Sequence, residues 1–121
     1  MKTAQEYKDS LRSRNIKVYL KGELLDSKTL IDHPFIRGHV NSAAMTYALA
    51  GSKEYEDMMT ATSHLTGKKI NRFTHIHQSA DDLIKKVKML RMISQKTGTC
   101  YQRCVGFDAM NATYTVTYEI D

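Results

Sequence analysis

Between Ser79 and Gly98 the sequence marks both ends of a helix, and this stretch commits the chain to a helical fold more firmly than any other. Ser79 can accept from a free backbone N–H, Asp81 and Asp82 put negative charge where the helix dipole favours it, and Gly98 supplies a residue at which helices stop. Leu83, Ile84, Val87, Leu90, Arg91 and Ile93 form the expected buried face, and basic residues fill the remainder.

The other elements read less sharply. Thr3 and Glu6 have the spacing of a capping box and predict a helix from Ala4 to about Arg14. Ile16, Val18 and Leu20 alternate with polar neighbours, and Leu24-Leu25 returns after Lys21-Gly22, so a short β-hairpin is expected near 16–25. Pro34 holds His33 out of the helical region, and Ile36, Val40, Ala43, Ala44, Tyr47 and Ala48 then recur at helical spacing as far as Gly51. Glu54 to Thr66 is read as a short helix followed by loop, and Gly67 to Gln78 as loop. A last helix is expected from a cap at Thr99, with Cys100, Cys104, Phe107 and Asn111 on one side. Tyr114 to Ile120 has strand propensity, yet no turn signal separates it from Ala112, so helix is expected there too. The chain stops without a cap, as if cut inside an element.

With 121 residues the expectation is one domain or part of one, burying roughly 65% of its unfolded surface. Elaborate chemistry would need another domain or subunit. No apolar run approaches the roughly 20 residues of a membrane span, and the N-terminus is polar, so neither membrane insertion nor a secretory leader is expected and a cytosolic setting is. In that setting the two cysteines read as ligands or free thiols rather than a disulfide.

Cys100 and Cys104 form the sharpest constellation. On a helix, sulfurs at i and i+4 share a face and can reach one metal centre, and a helix N-terminus favours the thiolate. Two buried free cysteines satisfy the same spacing, and two thiolates alone cannot close a four-coordinate site. His75 and His77 fall on one side of an extended segment, open to a metal, a phosphate or a flavin, although a hydrogen-bonded loop pair is the commoner meaning. The net charge of +5 gathers in Lys85, Lys86, Lys88 and Arg91, with Lys96 beyond; without interleaved aromatic residues this run reads as a solvated helix face, and no nucleic-acid partner is expected. Lys68 and Lys69 beside Arg72 could meet a phosphorylated ligand, but there is no P-loop or dinucleotide glycine fingerprint.

Longer runs are more specific. Met59 to Gln78 (including Thr74-His-Ile-His77), Asp81 to Arg91, and Gln95-Lys-Thr-Gly-Thr-Cys-Tyr-Gln-Arg-Cys-Val-Gly106 resemble the N-terminal part of the 4-hydroxybutyryl-CoA dehydratase family, as do Asp32-His-Pro34 and Ala44-Met-Thr-Tyr47. The resemblance covers essentially the whole chain. It implies a mainly α fold, in which residues 1–121 are the N-terminal helical domain of an acyl-CoA dehydrogenase-like subunit. The middle β domain and C-terminal helical bundle would lie outside the chain, and the full subunit would form a homotetramer.

The same resemblance implies a four-iron, four-sulfur (4Fe-4S) cluster held by three cysteines and a histidine, beside FAD. Cys100 and Cys104 match two of the cysteine ligands, and Gln102 matches a residue of the active-site cavity. None of His33, His39, His64, His75 or His77 matches the ligand histidine. The paired cysteines set the chain apart from the flavin-dependent 4-hydroxyphenylacetate hydroxylases of the wider family. The implied reaction is reversible dehydration of 4-hydroxybutyryl-CoA, an acyl-CoA substrate, to crotonyl-CoA, with vinylacetyl-CoA isomerisation. Flavin would supply the radical chemistry and cluster iron a Lewis acid. The 121 residues alone should be inactive. The alternatives are a non-catalytic helical module that binds a partner or oligomerises, and a flavin-dependent aromatic hydroxylase relative.

Overall fold

The Glu6 N–H donates to Thr3 Oγ1 at 3.1 Å and the Thr3 N–H to Glu6 Oε2 at 2.7 Å, the reciprocal pair that the spacing of these residues predicts. Helix α1 (Ala4–Arg12) starts from this box and is capped by Ser13, so its last residue is two earlier than expected. The computed structural model describes residues 1–26, 28–100 and 106–120, in two units that meet in sequence at Gly51 and Ser52.

In the unit Lys2–Gly51, α1 lies against α2 (Arg37–Ala50), with the rings of Tyr7 and Tyr47 stacked at 4.9 Å. Lys8 Nζ donates to Asn41 Oδ1 at 2.8 Å, and Arg12 pairs with Asp32 at 3.3 Å beside the single 3-10 turn Leu30–Asp32. Leu30, Ile31, Val40, Ala44 and Ala50 are buried. The α2 face departs from expectation at its end, where Thr46 and Ala50 are buried and Ala48 is exposed. Thr46 tolerates burial because its hydroxyl donates to the Ala43 carbonyl at 2.7 Å.

The expected hairpin is present. Strands β1 (Val18–Leu20) and β2 (Glu23–Leu25) pair antiparallel with Leu20 opposite Glu23, leaving a two-residue turn. Lys21 (φ +51°) and Gly22 (φ +87°) are both left-handed, as a turn matching the twist of the strands requires.

In the unit from Ser52 onward, α3 (Glu56–Met59) is one turn long and runs directly into β3 (Thr60–Thr62), which pairs antiparallel with β4 (Lys69–Asn71), Ala61 opposite Ile70. This second hairpin corrects the sequence expectation of loop over both segments. Its strands are three residues long and carry Thr60, Thr62, Lys69 and Asn71, so no hydrophobic alternation announces them. The loop is tied by its own backbone: the Ser63 N–H donates to the Lys68 carbonyl at 2.9 Å, and the Gly67 N–H to the Ser63 carbonyl at 2.8 Å.

A 3-10 turn, Arg72–Thr74, leads to α4 (Ala80–Thr97), whose bounds agree with the sequence. Its buried face agrees at Leu90 and Ile93 and differs elsewhere. Lys86, Met89, Leu90 and Ile93 are buried, while Leu83, Ile84, Val87 and Arg91 are exposed, so the helix is turned from the orientation its apolar residues predict. The rotation is possible because the buried Lys86 finds an anion, described below. Met59, Met89, Leu90 and Ile93 are fully buried and make the centre of this unit.

Helix α5 (Gly106–Ile120) confirms helix over the strand-prone Tyr114 to Ile120. Three threonines along it donate to carbonyls one turn back: Thr113 to Ala109 at 2.9 Å, Thr115 to Asn111 at 3.0 Å and Thr117 to Thr113 at 2.9 Å. Phe107 and Asn111 are its buried residues, and Phe107 meets Phe73 edge to face at 4.9 Å. Mainly α architecture with short hairpins is therefore the observed class.

Candidate functional site

Helix α4 ends where its sequence says it should. Gly98 is left-handed (φ +65°), its N–H donates to the Ser94 carbonyl, and Thr97 Oγ1 bonds both the Ile93 carbonyl at 2.8 Å and Thr99 Oγ1 at 2.7 Å. Cys100 follows directly, exposed and with a free thiol. It stands outside regular structure, and the described part of α5 begins only at Gly106. Thr99 therefore caps no helix that contains Cys100, because its hydroxyl is engaged backward with Thr97; the expected helical placement of Cys100 is corrected, and the alternative of a buried free thiol does not hold at this residue. Gln102 and Cys104 lie outside the described residues.

At the other end of α4, around its first turn, lies a buried polar cluster that the sequence did not announce. Arg72, only 4% exposed at its side chain, donates from Nε to the Met58 carbonyl at 2.8 Å and from Nη2 to the Asp57 carbonyl at 3.0 Å and the Thr60 carbonyl at 2.5 Å. Its Nη1 meets Asp82 at 3.3 Å. One guanidinium thus satisfies the carbonyls that α3 and the start of β3 leave open, and its charge is matched from α4. His75 Nε2 reaches the other oxygen of Asp82 at 3.3 Å, and its Nδ1 is buried without a hydrogen-bond partner.

Asp82 is shaped by opposing influences. Burial pushes its carboxyl up, but the Gln78 N–H, His75 and the Ser79 hydroxyl together hold it below its ordinary value. The only sequence signal for this cluster was an aspartate in the first turn of α4 preceded by a loop holding Arg72 and His75, and the dipole already accounted for that aspartate.

A second buried group joins α4 to α5. Lys86, with a 3% exposed side chain, forms an ion pair with Asp108 in the first turn of α5 and lies 5.7 Å from the centre of the Phe107 ring. His77 Nε2 meets Asn111 Nδ2 at 3.3 Å. Partial burial, and next the charge of Lys86, hold the His77 imidazole below its ordinary value, which keeps it neutral and able to accept from the amide.

The remaining sequence candidates are dispersed. The rings of His75 and His77 are 6.5 Å apart and engaged with different partners, so they do not share a metal, and no group of three or more His, Cys, Asp or Glu suited to a metal exists among the described residues. In the basic run Lys85 pairs with Asp57 at 3.3 Å and Asp81 at 3.6 Å, Lys86 is buried, and Lys96 sits 4.5 Å over the Tyr55 ring. This corrects the expectation of a uniformly solvated face. Lys69 is paired with Glu56. An open apolar groove of about 400 Å³ lies between Leu65, Thr74, Ile76, Tyr114, Thr117 and Tyr118. No described helix is long and apolar enough to cross a membrane.

An exposed cysteine at the end of a rigid helix fits thiolate ligation of an iron–sulfur cluster in donor chemistry and in access. Cys104 would bring the ligands within the chain to two, with the remainder supplied from elsewhere.

The family described as 4-hydroxyphenylacetate 3-hydroxylase N terminal matches residues 3–121. A 4-hydroxybutyryl-CoA dehydratase/vinylacetyl-CoA-Delta-isomerase of Clostridium aminobutyricum is 55% identical over 119 residues, which are 98% of this chain and 24% of that protein. The solved structure of an oxygen-tolerant archaeal 4-hydroxybutyryl-CoA dehydratase from N. maritimus matches with a TM-score of 0.83 and 50% identity, over 99% of this chain and 23% of that one. The oxygenase component of 4-hydroxyphenylacetate 3-monooxygenase, solved with FAD and 4-hydroxyphenylacetate, shares the fold at a TM-score of 0.66 and 24% identity, over 79% of this chain and 19% of that one. The chain thus spans about a quarter of the length of these relatives.

Proposed function

The chain belongs to the 4-hydroxyphenylacetate 3-hydroxylase N-terminal family, and from that membership we propose that it is the N-terminal helical domain, residues 1–121, of a flavin- and iron–sulfur-dependent dehydratase. The reaction is loss of water from 4-hydroxybutyryl-CoA to give crotonyl-CoA, together with isomerisation of vinylacetyl-CoA. The observation that carries this is the 55% identity sustained through 119 residues, a span that includes the segment from Gln95 to Gly106.

Cys100 and Cys104 would supply two of the ligands of a four-iron cluster, and Gln102 is assigned to the substrate site by the same resemblance. When bound, the cluster supplies a Lewis acid for the departing hydroxyl, and FAD the one-electron chemistry. The work of these residues is placement. Cys100 sits at the end of α4 behind a left-handed glycine and a threonine pair, so its position is referred to a helix of 18 residues rather than to a free loop. The other cluster ligands, most of the FAD site and the tetramer contacts come from the remainder of the subunit, in the cytoplasm.

Leu83, Ile84 and Val87 are 48%, 52% and 44% exposed, which favours a non-catalytic binding or oligomerisation module as the alternative. Anaerobic reconstitution with iron and sulfide separates the two. Visible absorption and iron content should show a cluster only when the rest of a dehydratase subunit is supplied with the chain, and Cys104→Ala should abolish it together with dehydration. A complemented enzyme that keeps both its cluster and its activity after Cys104→Ala would overturn the assignment.

A further inference from the structure

Asp108 and Glu119 are the only charged side chains of α5, and residues 109–118 between them carry none in a chain that is 26% charged. Most of those residues are exposed all the same, Met110, Val116 and Tyr118 at 46%, 51% and 50%. The exposed side of α4, by contrast, sets Asp81, Lys88 and Arg91 among its apolar residues. Surface that stays in water is normally sown with charge, and charge is depleted where one protein surface is covered by another. Tyr114, Thr117 and Tyr118 of the same helix also line the groove of about 400 Å³, with Leu65, Thr74 and Ile76, and no charged side chain is among its described lining residues. The groove therefore has no cation with which to hold a phosphate or a carboxylate, and an apolar protein side chain fits it better than a nucleotide.

We propose that this outer face of α5, together with the groove, is the surface on which the rest of the subunit docks, through an apolar segment free of charge. The proposal rests on the dehydratase reading and names a partner surface for it. The length of the relatives selects the occupant: the chain accounts for 24% and 23% of the two dehydratases it matches, so about three quarters of each polypeptide lies outside the matched stretch and is there to be packed. The face is also continuous. Val116, Tyr118 and Ile120 carry it along the helix, the last of them 77% exposed, and Leu65 at the groove is 54% exposed, so one covering segment can lie over both. A carboxylate or ammonium brought there would be buried without a partner, which is why the occupant is uncharged. A second copy of the chain is the other occupant such a face admits, and the test separates the two.

The test places single changes at Val116 and supplies the remainder of a dehydratase subunit in two forms, as a separate polypeptide and joined to the chain. Val116→Glu puts a charge on the face, and Val116→Ala trims it without one. Both should leave the Tm of the chain alone almost unchanged, since the position is half exposed. Val116→Glu should bind the separate remainder at least about a hundredfold more weakly than the parent, and Val116→Ala less than about tenfold more weakly. Val116→Cys, followed at that residue by mass spectrometry, should be alkylated at least about ten times more slowly in the joined subunit than in the chain alone. Binding of Val116→Glu as tight as the parent's, or equal alkylation rates in the two forms, would overturn the proposal; should Val116→Glu not fold, the alkylation rates decide. A dimer of the parent chain alone that Val116→Glu dissolves overturns it as well, because the occupant is then a second copy. The dehydratase reading fails separately, when the joined parent subunit takes up no iron–sulfur cluster on anaerobic reconstitution, whatever Val116→Cys reports.

Discussion

Arg72 and Asp82 face each other at 3.3 Å, with side chains 4% and 18% exposed, and the same guanidinium holds the carbonyls of Asp57, Met58 and Thr60. This pair joins the end of α3, the edge of β3 and the first turn of α4. Replacing Arg72 by Met leaves a buried carboxylate and three open carbonyls, and should destabilise the unit by about 3–5 kcal/mol. Lysine should rescue little, since a single ammonium cannot span the fork. Urea unfolding followed by circular dichroism checks both.

The imidazole of His77 resists protonation in the fold, because burial and then Lys86 hold it below its ordinary value of 6.5. The unfolded chain takes up that proton as the pH drops through 6.5 while the folded chain does not, so this contribution to stability is complete above 6.5 and is lost as the pH falls toward the lower native value. His77→Gln, which can still accept from Asn111, should flatten the fall in Tm between about pH 7 and 5. In Lys86→Met the imidazole should titrate higher than in the parent, which NMR of the ring protons reads directly.

The turn between β1 and β2 holds a lysine in the left-handed region at Lys21, φ +51°. Asparagine suits that position better, and Lys21→Asn should stabilise by a few tenths of a kcal/mol, about 0.5. Gly22→Ala, at φ +87°, should cost about 1 kcal/mol. Thermal unfolding of the two variants should move Tm in opposite directions.

The ends of α4 are separately testable. The Ser79 hydroxyl accepts from the Asp82 N–H at 3.2 Å, and Ser79→Ala should cost about 1 kcal/mol. Gly98→Ala, forced into a left-handed backbone that has open space around it, should cost about 1 kcal/mol through conformation alone. Only the second change lies beside Cys100, so only it should alter the rate at which that thiol is alkylated.

Legibility in the sequence followed where the information is local. Ser79 and Gly98 bounded α4 to the residue, and Thr3 with Glu6 placed the start of α1, because caps act within one turn. The rotation of α4 was illegible because it depends on Asp108, 22 residues beyond Lys86, accepting a charge that periodicity assigns to solvent. Arg72 escaped notice for a similar reason: its partners are backbone carbonyls 12 to 15 residues earlier, and no side-chain pattern encodes a carbonyl. The β3–β4 hairpin, with three-residue strands, offered no period to read. Cys100 was named as a ligand from resemblance, and the structure adds its exposed thiol, while the helical spacing argued for it does not apply at that residue.

Helix α5 carries three hydroxyl side chains, Thr113, Thr115 and Thr117, in its second half. Yet each of those hydroxyls already donates to a carbonyl of the same helix. What such a threonine shows its surroundings is chiefly a methyl group, and Met110, Val116, Tyr118 and Ile120 are exposed alongside. The outer surface of this helix is therefore greasier than its composition, and it can be enclosed by neighbouring protein without stranding a single one of those three donors.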